Sequence, residues 1–377
     1  MSQIPLSSFT RRLLKAGYRR AYGKRYANIP PSQRVYVRPG EARAAQLRWS
    51  ALLVAHRPTS LSAYAEKVPL GEIEEFLPCP MCENDTFRVL FHPGSRKRGA
   101  EWTYHVVRCE RCGFLWRNPN IKPERLGDLY AESYSKFLTG DYAAKRQRRY
   151  RLTMDAFSPL FKEGGGRRLL DFGCGTGLFL ELAEQRGFDV AGCDLSQDSL
   201  DLAQRRLTSR KLYYGSPANV PELAAGGFDI VTMWSVLAHL PRPKDDLSML
   251  RGLLNDDGAL LILTVNAGSL MLKLHGSYWN GFTKNHLMFY SRDTLPRLLT
   301  DAGFAAVAFK PFYGDTIEAG TTGLSPENQA RARRTVDETN GGNMMRAVAF
   351  ASTDAAAASG LQYQNLPARS NAPTGRA

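Results

Sequence analysis

Four of the six cysteines stand in two C-x-x-C pairs, a pattern that is typical of a metal site. The pairs are Cys79 with Cys82 and Cys109 with Cys112. Two tight turns that supply two thiolates each suit a tetrahedral zinc ion, bound at about 2.3 Å per Zn–S bond. A disulfide or redox pair and an iron–sulfur cluster are the alternatives. Four cysteines leave no open position for water, so a zinc ion here would serve folding and not catalysis.

A glycine-rich turn between two acids is the second group of residues that could do chemistry. An apolar segment ends in Asp171 and is followed by Gly173, Gly175 and Gly177, after which a helix is predicted. Glycine lets the main chain approach a ligand closely, and the first turn of a helix presents free N–H groups. Asp194 ends the next predicted strand, where a carboxylate can accept hydrogen bonds from both hydroxyls of a ribose. The pattern therefore predicts a nucleoside-binding site.

The spacing of the glycines argues against a nicotinamide or flavin site. That fingerprint, G-x-G-x-x-G, requires glycine at position 178, where Leu178 stands. A tight strand-to-helix turn without a ligand is the remaining alternative.

The segment LLDFGCGTG, with VAGCDLS downstream, resembles motif I of the class I, seven-stranded SAM-dependent methyltransferases. The resemblance runs from about residue 142 to 352 and implies S-adenosyl-L-methionine (SAM) as the cofactor. It implies that the turn surrounds the methionine part of SAM, that the acid after the second strand holds the ribose, and that the turn after the fourth strand lies near the transferring methyl group. The cofactor-binding residues implied in this way are Asp171, Gly173, Gly175, Gly177, Asp194, Leu195 in the adenine pocket, and Trp234.

Two segments depart from the pattern of many relatives. Gly215-Ser216-Pro217-Ala218 stands where an acid often binds the adenine amino group, and Ala238-His239 stands where Glu-His is common. Neither change touches the ribose or methionine ends of the cofactor, so SAM binding is still expected.

Two histidines and a tyrosine are the candidate catalytic residues. Methyl transfer to an oxygen or carbon acceptor requires removal of a proton, a task that the ordinary pKa of histidine suits. His239 follows the fourth predicted strand, on the side of the sheet where doubly wound folds bind ligands. His286 and Tyr290 belong to the aromatic and polar segment 279–290, which could cover a sugar or another ring. A capping or packing role is the alternative for His286.

Strands and helices alternate from residue 168 onward, which predicts an α/β fold. Such an alternation gives a doubly wound, mostly parallel sheet of seven strands with helices on both faces. The predicted strands span 168–172, 189–193, 211–214, 228–234, 259–265, 305–312 and 344–351. The predicted helices span 142–161, 178–186, 197–208, 243–254 and 291–302, with a further helix near 325–338.

We expect the chain to have four parts. A basic, partly helical extension over residues 1–70 precedes a zinc-ribbon unit over 71–125. The SAM-dependent methyltransferase domain then covers 126–352. The composition after about residue 352, rich in Ala, Ser, Pro and Asn, predicts a disordered tail over 353–377.

Most of the net charge of +14 lies in the first 57 residues. They contain twelve basic residues and a single acid, Glu41, among aromatic and apolar residues at roughly helical spacing. Such a helix could contact an anionic membrane surface or RNA, pack on the protein, or act as a transit peptide. We find no secretory signal and no apolar run near the roughly 20 residues that span a bilayer. The expected location is cytoplasmic, with peripheral membrane contact as an option.

The leading hypothesis is a methyltransferase that acts on a sugar, a glycan precursor or another small metabolite, at oxygen or carbon. An RNA methyltransferase is the alternative enzyme, favoured by the zinc unit and the basic arm, but the catalytic half shows no basic, aromatic-interleaved platform for RNA. A scaffold that binds SAM without catalysis is the alternative of a different class.

Overall fold

The computed structural model describes residues 56–91, 104–129, 141–209, 211–269, 272–273, 276–310, 312, 327, 330, 334 and 342–367. The basic helix predicted near the N-terminus lies outside the described residues, as does most of the helix predicted near 325–338. Along the described residues, no helix is both long enough and apolar enough to cross a membrane.

The cysteine-rich unit is a small antiparallel sheet. Its elements are β1 (Pro58–Ser60), α1 (Leu61–Ala65), β2 (Glu74–Glu75), β3 (Thr86–Phe91), β4 (His105–Cys109), β5 (Leu115–Asn118) and β6 (Asn120–Ile121). Strands β3, β4 and β5 are consecutive, and β1 pairs with β3 so that Pro58 lies opposite Arg88. The unit therefore includes residues 58–65, and the boundary predicted at residue 70 is too late. A strand of 3 residues shows too little alternation for a sequence pattern to reveal it.

The second unit is the predicted α/β sheet. Its elements are α2 (Asp141–Ala156), α3 (Ser158–Phe161), β7 (Arg168–Phe172), α4 (Leu178–Glu184), β8 (Asp189–Asp194), α5 (Gln197–Gln204), β9 (Leu212–Tyr214), α6 (Pro221–Ala224), β10 (Phe228–Trp234), α7 (Pro243–Leu253), β11 (Leu254–Val265), β12 (Met288–Phe289), α8 (Leu295–Ala302), β13 (Ala306–Lys310), β14 (Met344–Phe350), α9 (Thr353–Ala358) and β15 (Gln364–Asn365). The strand order is β15-β13-β14-β11-β10-β7-β8-β9. Strands β7 to β11 pair in parallel, whereas β14 is antiparallel to both of its neighbours. The mostly parallel, seven-stranded sheet is confirmed, and β15 adds a short eighth strand.

Alternate residues of the central strands face two layers of helices. Leu169 and Ile230 pack with apolar side chains of α2, α4 and α5. Their chain neighbours Leu170 and Val231 pack on the opposite face, with leucines of α7 and α8. Because both faces are covered, these strands are apolar almost throughout, as parallel strands in doubly wound folds usually are.

The C-terminal segment corrects one prediction. Residues 353–367 were expected to be disordered, but α9 follows Ser352, whose Oγ accepts a hydrogen bond from the Ala355 amide at 3.1 Å. Strand β15 then pairs with β13, and Leu361 and Leu366 are buried. A serine cap and two apolar anchors are enough to order a segment whose composition alone suggests disorder. Residues 368–377 lie outside the described part of the chain.

Strand β12 joins the two units. It comes from the segment between β11 and α8, yet it pairs with β5 of the cysteine-rich unit, with Met288 opposite Trp116 and Phe289 opposite Leu115. The N-terminal sheet therefore has five strands in the order β1-β3-β4-β5-β12. A segment of the α/β unit therefore contributes one strand to the sheet of the cysteine-rich unit.

Candidate active site

The glycine-rich turn has the backbone that its sequence predicts. The φ angles of Gly173, Gly175 and Gly177 are 76°, 53° and 71°, in the left-handed region that favours glycine. A Cβ atom at position 173 would lie 2.6 Å from Cγ2 of Val236, so only glycine fits there. The turn thus packs closely against the segment that follows β10, at the carboxyl end of β7.

Asp194 is held in a fixed orientation at the end of β8. Its Oδ2 accepts a hydrogen bond from the Gly175 amide at 2.8 Å, and its Oδ1 accepts one from the Ser196 amide at 2.9 Å. Burial raises the pKa of Asp194, and these amide donors oppose the rise. A carboxylate has about four lone-pair positions, so two amides leave acceptor capacity for a ligand.

A cavity of about 740 Å³ opens beside this turn. It lies at the carboxyl ends of the parallel strands, where doubly wound folds bind their ligands, and its volume suits a small molecule. The structure brings five of the predicted site residues together on its wall. These are Gly173, Asp194, Leu195, His239 and His286.

Three predicted cofactor residues lie behind the wall and support it. Asp171 is buried, and its Oδ1 accepts a hydrogen bond from Thr232 Oγ1 at 2.6 Å. Burial raises the pKa of Asp171 to about 7. Gly175 contributes its amide to Asp194, and a Cβ atom at Gly177 would lie 3.0 Å from Cβ of Ala203 in α5. These residues shape the turn without lining the cavity.

Trp234 and Tyr290 are also placed away from the cavity wall. The Trp234 ring centroid lies 4.6 Å from that of Tyr150 and 4.7 Å from that of Phe179, in the layer between the sheet and its helices. Tyr290 is fully buried, with its ring 5.3 Å from that of Phe114 in the cysteine-rich unit. Burial raises the pKa of Tyr290 well above its ordinary value. The structure gives both residues a packing role.

The two predicted histidines form a pair. The ring centroids of His239 and His286 are 4.8 Å apart and the rings are perpendicular. Burial lowers the pKa of His239 well below its ordinary value, and the charges of His286 and Arg146 lower it further. Burial also lowers the pKa of His286, although the Gly281 carbonyl opposes this. Both imidazoles are therefore neutral at pH 7.

The tautomer of His286 follows from its partner. Its Nδ1 lies 2.5 Å from the Gly281 carbonyl oxygen, which can only accept a hydrogen bond. Nδ1 therefore carries the proton in the neutral ring, and Nε2 keeps a lone pair. A neutral imidazole oriented in this way can accept a proton.

The cavity contains residues that the sequence analysis missed. Arg146 and Arg149 of α2 line it, and so does Asp246 of α7. The positive charge of Arg146 acts on Asp171, Asp194 and His239, so this guanidinium lies close to all of them. The spacing of the two arginines by one helical turn was a usable signal, because it places them on one face of α2.

Asp246 and Ser235 carry no local sequence signal. Burial, together with the charge of Asp245, raises the pKa of Asp246 to about 7. Ser235, directly after β10, has a φ of 62°, which is unusual for a residue with a side chain. Strained backbone of this kind tends to occur at functional sites, and Ser235 indeed lines the cavity.

The four cysteines of the N-terminal unit converge as predicted. Their Sγ atoms all lie within 4.8 Å of one another, and those of Cys79 and Cys112 are 3.5 Å apart, as are those of Cys82 and Cys109. All four are free thiols. The amide of Arg111 donates to Cys109 Sγ at 3.3 Å. Four sulfur atoms around one point, with amide donors to the sulfur, suit a tetrahedral metal ion.

Comparisons with known proteins place the α/β unit among methyltransferases. Residues 142–308 match a family model described as a methyltransferase domain. A ubiquinone biosynthesis O-methyltransferase from Dechloromonas aromatica is 38% identical over 106 residues, which are 27% of this chain and 45% of that protein. The protein of the same name from Psychrobacter arcticus is 30% identical over 152 residues, 37% of this chain and 59% of that protein.

Similarity to a solved structure was also found. A SAM-dependent methyltransferase from Archaeoglobus fulgidus is 20% identical and has a TM-score of 0.41, covering 59% of this chain and 98% of that one. This chain spans about half the length of the curated relatives it matches.

Proposed function

We propose that this chain, whose residues 142–308 match a methyltransferase domain, uses SAM to transfer a methyl group to a hydroxyl oxygen of a small molecule. The observation that carries the proposal is the neutral pair His239 and His286, on the wall of the cavity that also exposes the glycine-rich turn. The curated relatives are named O-methyltransferases, which supports oxygen as the acceptor atom. A sugar or glycan precursor stays among the acceptors to be tested.

The residues around the turn fit SAM. Asp194 is fixed by two amides and keeps acceptor capacity for ribose hydroxyls. Leu195 and Tyr214 line the cavity with 40% and 63% of their surfaces exposed. A planar adenine would cover this carbon surface. Arg146, close to Asp171 and Asp194, can bind the carboxylate of the methionine part.

Methyl transfer to a hydroxyl requires the protein to position the acceptor oxygen and to accept its proton. When bound, SAM supplies a methyl group on a positively charged sulfur. The chain must hold the acceptor oxygen in line with that methyl group, which the walls of the cavity can do. The hydroxyl must also lose its proton, and the histidine pair accepts it. Because a charge on either ring lowers the pKa of the other, we treat the pair as one base that takes one proton.

We further propose that Cys79, Cys82, Cys109 and Cys112 hold a zinc ion. The sulfur positions and the amide donor to Cys109 support this assignment. With four protein ligands the ion would stabilise the N-terminal sheet and take no part in methyl transfer.

Calorimetry of SAM binding tests the cofactor assignment. Asp194→Asn removes the charged acceptor, and we expect affinity for SAM to fall by about tenfold or more. Asp189→Asn is the matched control, because Asp189 begins the same strand and pairs with Lys211 at 2.6 Å, away from the cavity. Equal affinities of the two variants would contradict the assignment.

Transfer of labelled methyl groups tests the reaction. The protein is incubated with methyl-labelled SAM and panels of phenols, sugars and glycan precursors, and with RNA. Label on a small-molecule oxygen supports the proposal. Label on RNA alone, or SAM binding without any transfer, contradicts it.

A further inference from the structure

The segment that carries His286 is held by donors from the cysteine-rich unit. Tyr104 Oη donates to the Thr283 carbonyl oxygen at 3.0 Å. Arg117 Nη1 donates to the Lys284 carbonyl oxygen at 3.0 Å, and the Arg117 amide donates to the Leu287 carbonyl oxygen at 2.8 Å. The backbone is thus fixed on both sides of His286 by groups that belong to the other unit.

Arg117 is itself fixed on every side. Its Nη2 donates to Glu74 Oε1 in an ion pair whose side chains are 6% and 5% exposed. Its Nε donates to the Pro119 carbonyl oxygen at 3.0 Å, and its guanidinium lies 4.2 Å from the centre of the Tyr104 ring. A buried ion pair is weak evidence for stability, because desolvation of both charges offsets their attraction. The Glu74–Arg117 pair is better explained by the position in which it holds the Arg117 guanidinium.

The same segment also reaches His239. The Leu287 amide donates to the carbonyl oxygen of Ala238, directly before His239, at 2.7 Å. Strand β12 follows at once and pairs with β5. One short stretch of chain, from Thr283 to Phe289, therefore links both histidines to the N-terminal sheet. We call this stretch the strap.

We propose that the cysteine-rich unit sets the separation and the partial burial of the histidine pair through the strap, with Arg117 and Tyr104 as the positioning residues. Neither residue lines the cavity or touches the reacting groups. The proposal rests on the proposed function for its effect on catalysis. The positioning of His239 and His286 by the strap can be tested without knowing the methyl acceptor.

The consequence can be measured on the histidines themselves. The chain contains six histidines, so their imidazole signals can be followed by NMR during a pH titration of the full-length protein. His239 faces His286 and the charge of Arg146, and both rings are half-buried on the cavity wall. In the native protein we expect two histidines to titrate below the ordinary value of about 6.5, His239 the further below it. If the strap is loosened, the rings separate and become more exposed to water, so their titration should move up towards that value.

Three variants loosen the strap to different degrees. Tyr104→Phe removes a single hydrogen bond and keeps the ring under Arg117. Arg117→Lys keeps the charge opposite Glu74 but lacks the planar fork that reaches Lys284. The double variant Glu74→Gln/Arg117→Gln removes the ion pair without leaving one buried charge alone. Arg88→Met is the matched control, because Arg88 pairs with Glu110 in the same sheet and makes no bond to the strap.

The expected result has two parts. The histidine titration moves upward in Tyr104→Phe and Arg117→Lys while the folded spectrum is kept, and Arg88→Met titrates as the native protein does. With an active acceptor, kcat falls by about tenfold or more, since small misplacements of catalytic groups are costly, and affinity for SAM stays within about twofold.

Two results distinguish failure of the strap proposal from failure of the proposed function. If the variants are folded and their histidines titrate as in the native protein, the strap proposal is wrong. If the titration shifts but no acceptor is ever methylated, the strap proposal stands and the proposed function fails.

Discussion

The histidine pair sets the expected pH dependence at the scale of single residues. Because the pKa of each ring is lowered, both are neutral at pH 7, and activity should fall only below the ordinary histidine value of about 6.5. We predict that His239→Ala lowers kcat by about 10²-fold or more and removes the acidic limb of the pH profile.

The control for that prediction is His105→Gln, because His105 lies on β4 beside Tyr64, outside the cavity. Rate profiles between pH 5 and 9 are the measurement. An acidic limb that is unchanged in the His239→Ala variant would show that another group is the base.

The residues that sequence reasoning located are those with a local pattern. Gly173 and Asp194 follow from the turn and from the end of a strand, and the two C-x-x-C pairs follow from their spacing. The direction of a side chain does not follow from such patterns. Trp234 shares the face of β10 that bears Ile230, so it points into the helix layer and away from the cavity. Ser235, one residue later, lines the cavity.

At the scale of elements, the C-terminal segment gives a stability prediction. Ending the chain after Ser352 removes α9 and β15, and with them the buried side chains of Ala356, Leu361 and Leu366. We expect a lower midpoint of thermal unfolding, because each buried leucine contributes about 1.5 to 3 kcal/mol relative to exposure. A chain that ends after residue 367 keeps both elements and is the control. Equal midpoints for the two chains would contradict this role.

The buried parallel strands were predictable, whereas short strands that pair with distant segments were not. The apolar runs at β7, β8 and β10 are bounded by turns, and their predicted limits agree with the structure within one residue. Strands β1, β12 and β15 contain 3, 2 and 2 residues. Such strands exist because a distant strand offers free hydrogen-bonding groups, and a local sequence pattern does not encode that.

At the scale of the whole molecule, the metal site should matter far beyond its own loops. Because β12 completes the sheet that holds the four cysteines, loss of the ion should loosen the strap as well as the ribbon. We predict that Cys82→Ser, or treatment with a chelator, lowers both the bound zinc and the midpoint of unfolding. Cys174→Ser is the control, since Cys174 is buried within the glycine-rich turn, away from the four clustered cysteines, and its replacement should leave the zinc content unchanged. A native protein that is free of metal yet insensitive to the chelator would refute the assignment.

The shared strand also orders the events of folding. The β3–β4 pairing and the parallel core around β7 join segments that are near in sequence, whereas Arg117 and Lys284 are 167 positions apart. Closing so long a loop costs chain entropy before its contacts can form, so we expect the junction to form late. A refolding molecule would then form the SAM site first and position the segment that carries His286 last. During that interval it could bind SAM before the site for the methyl acceptor is complete.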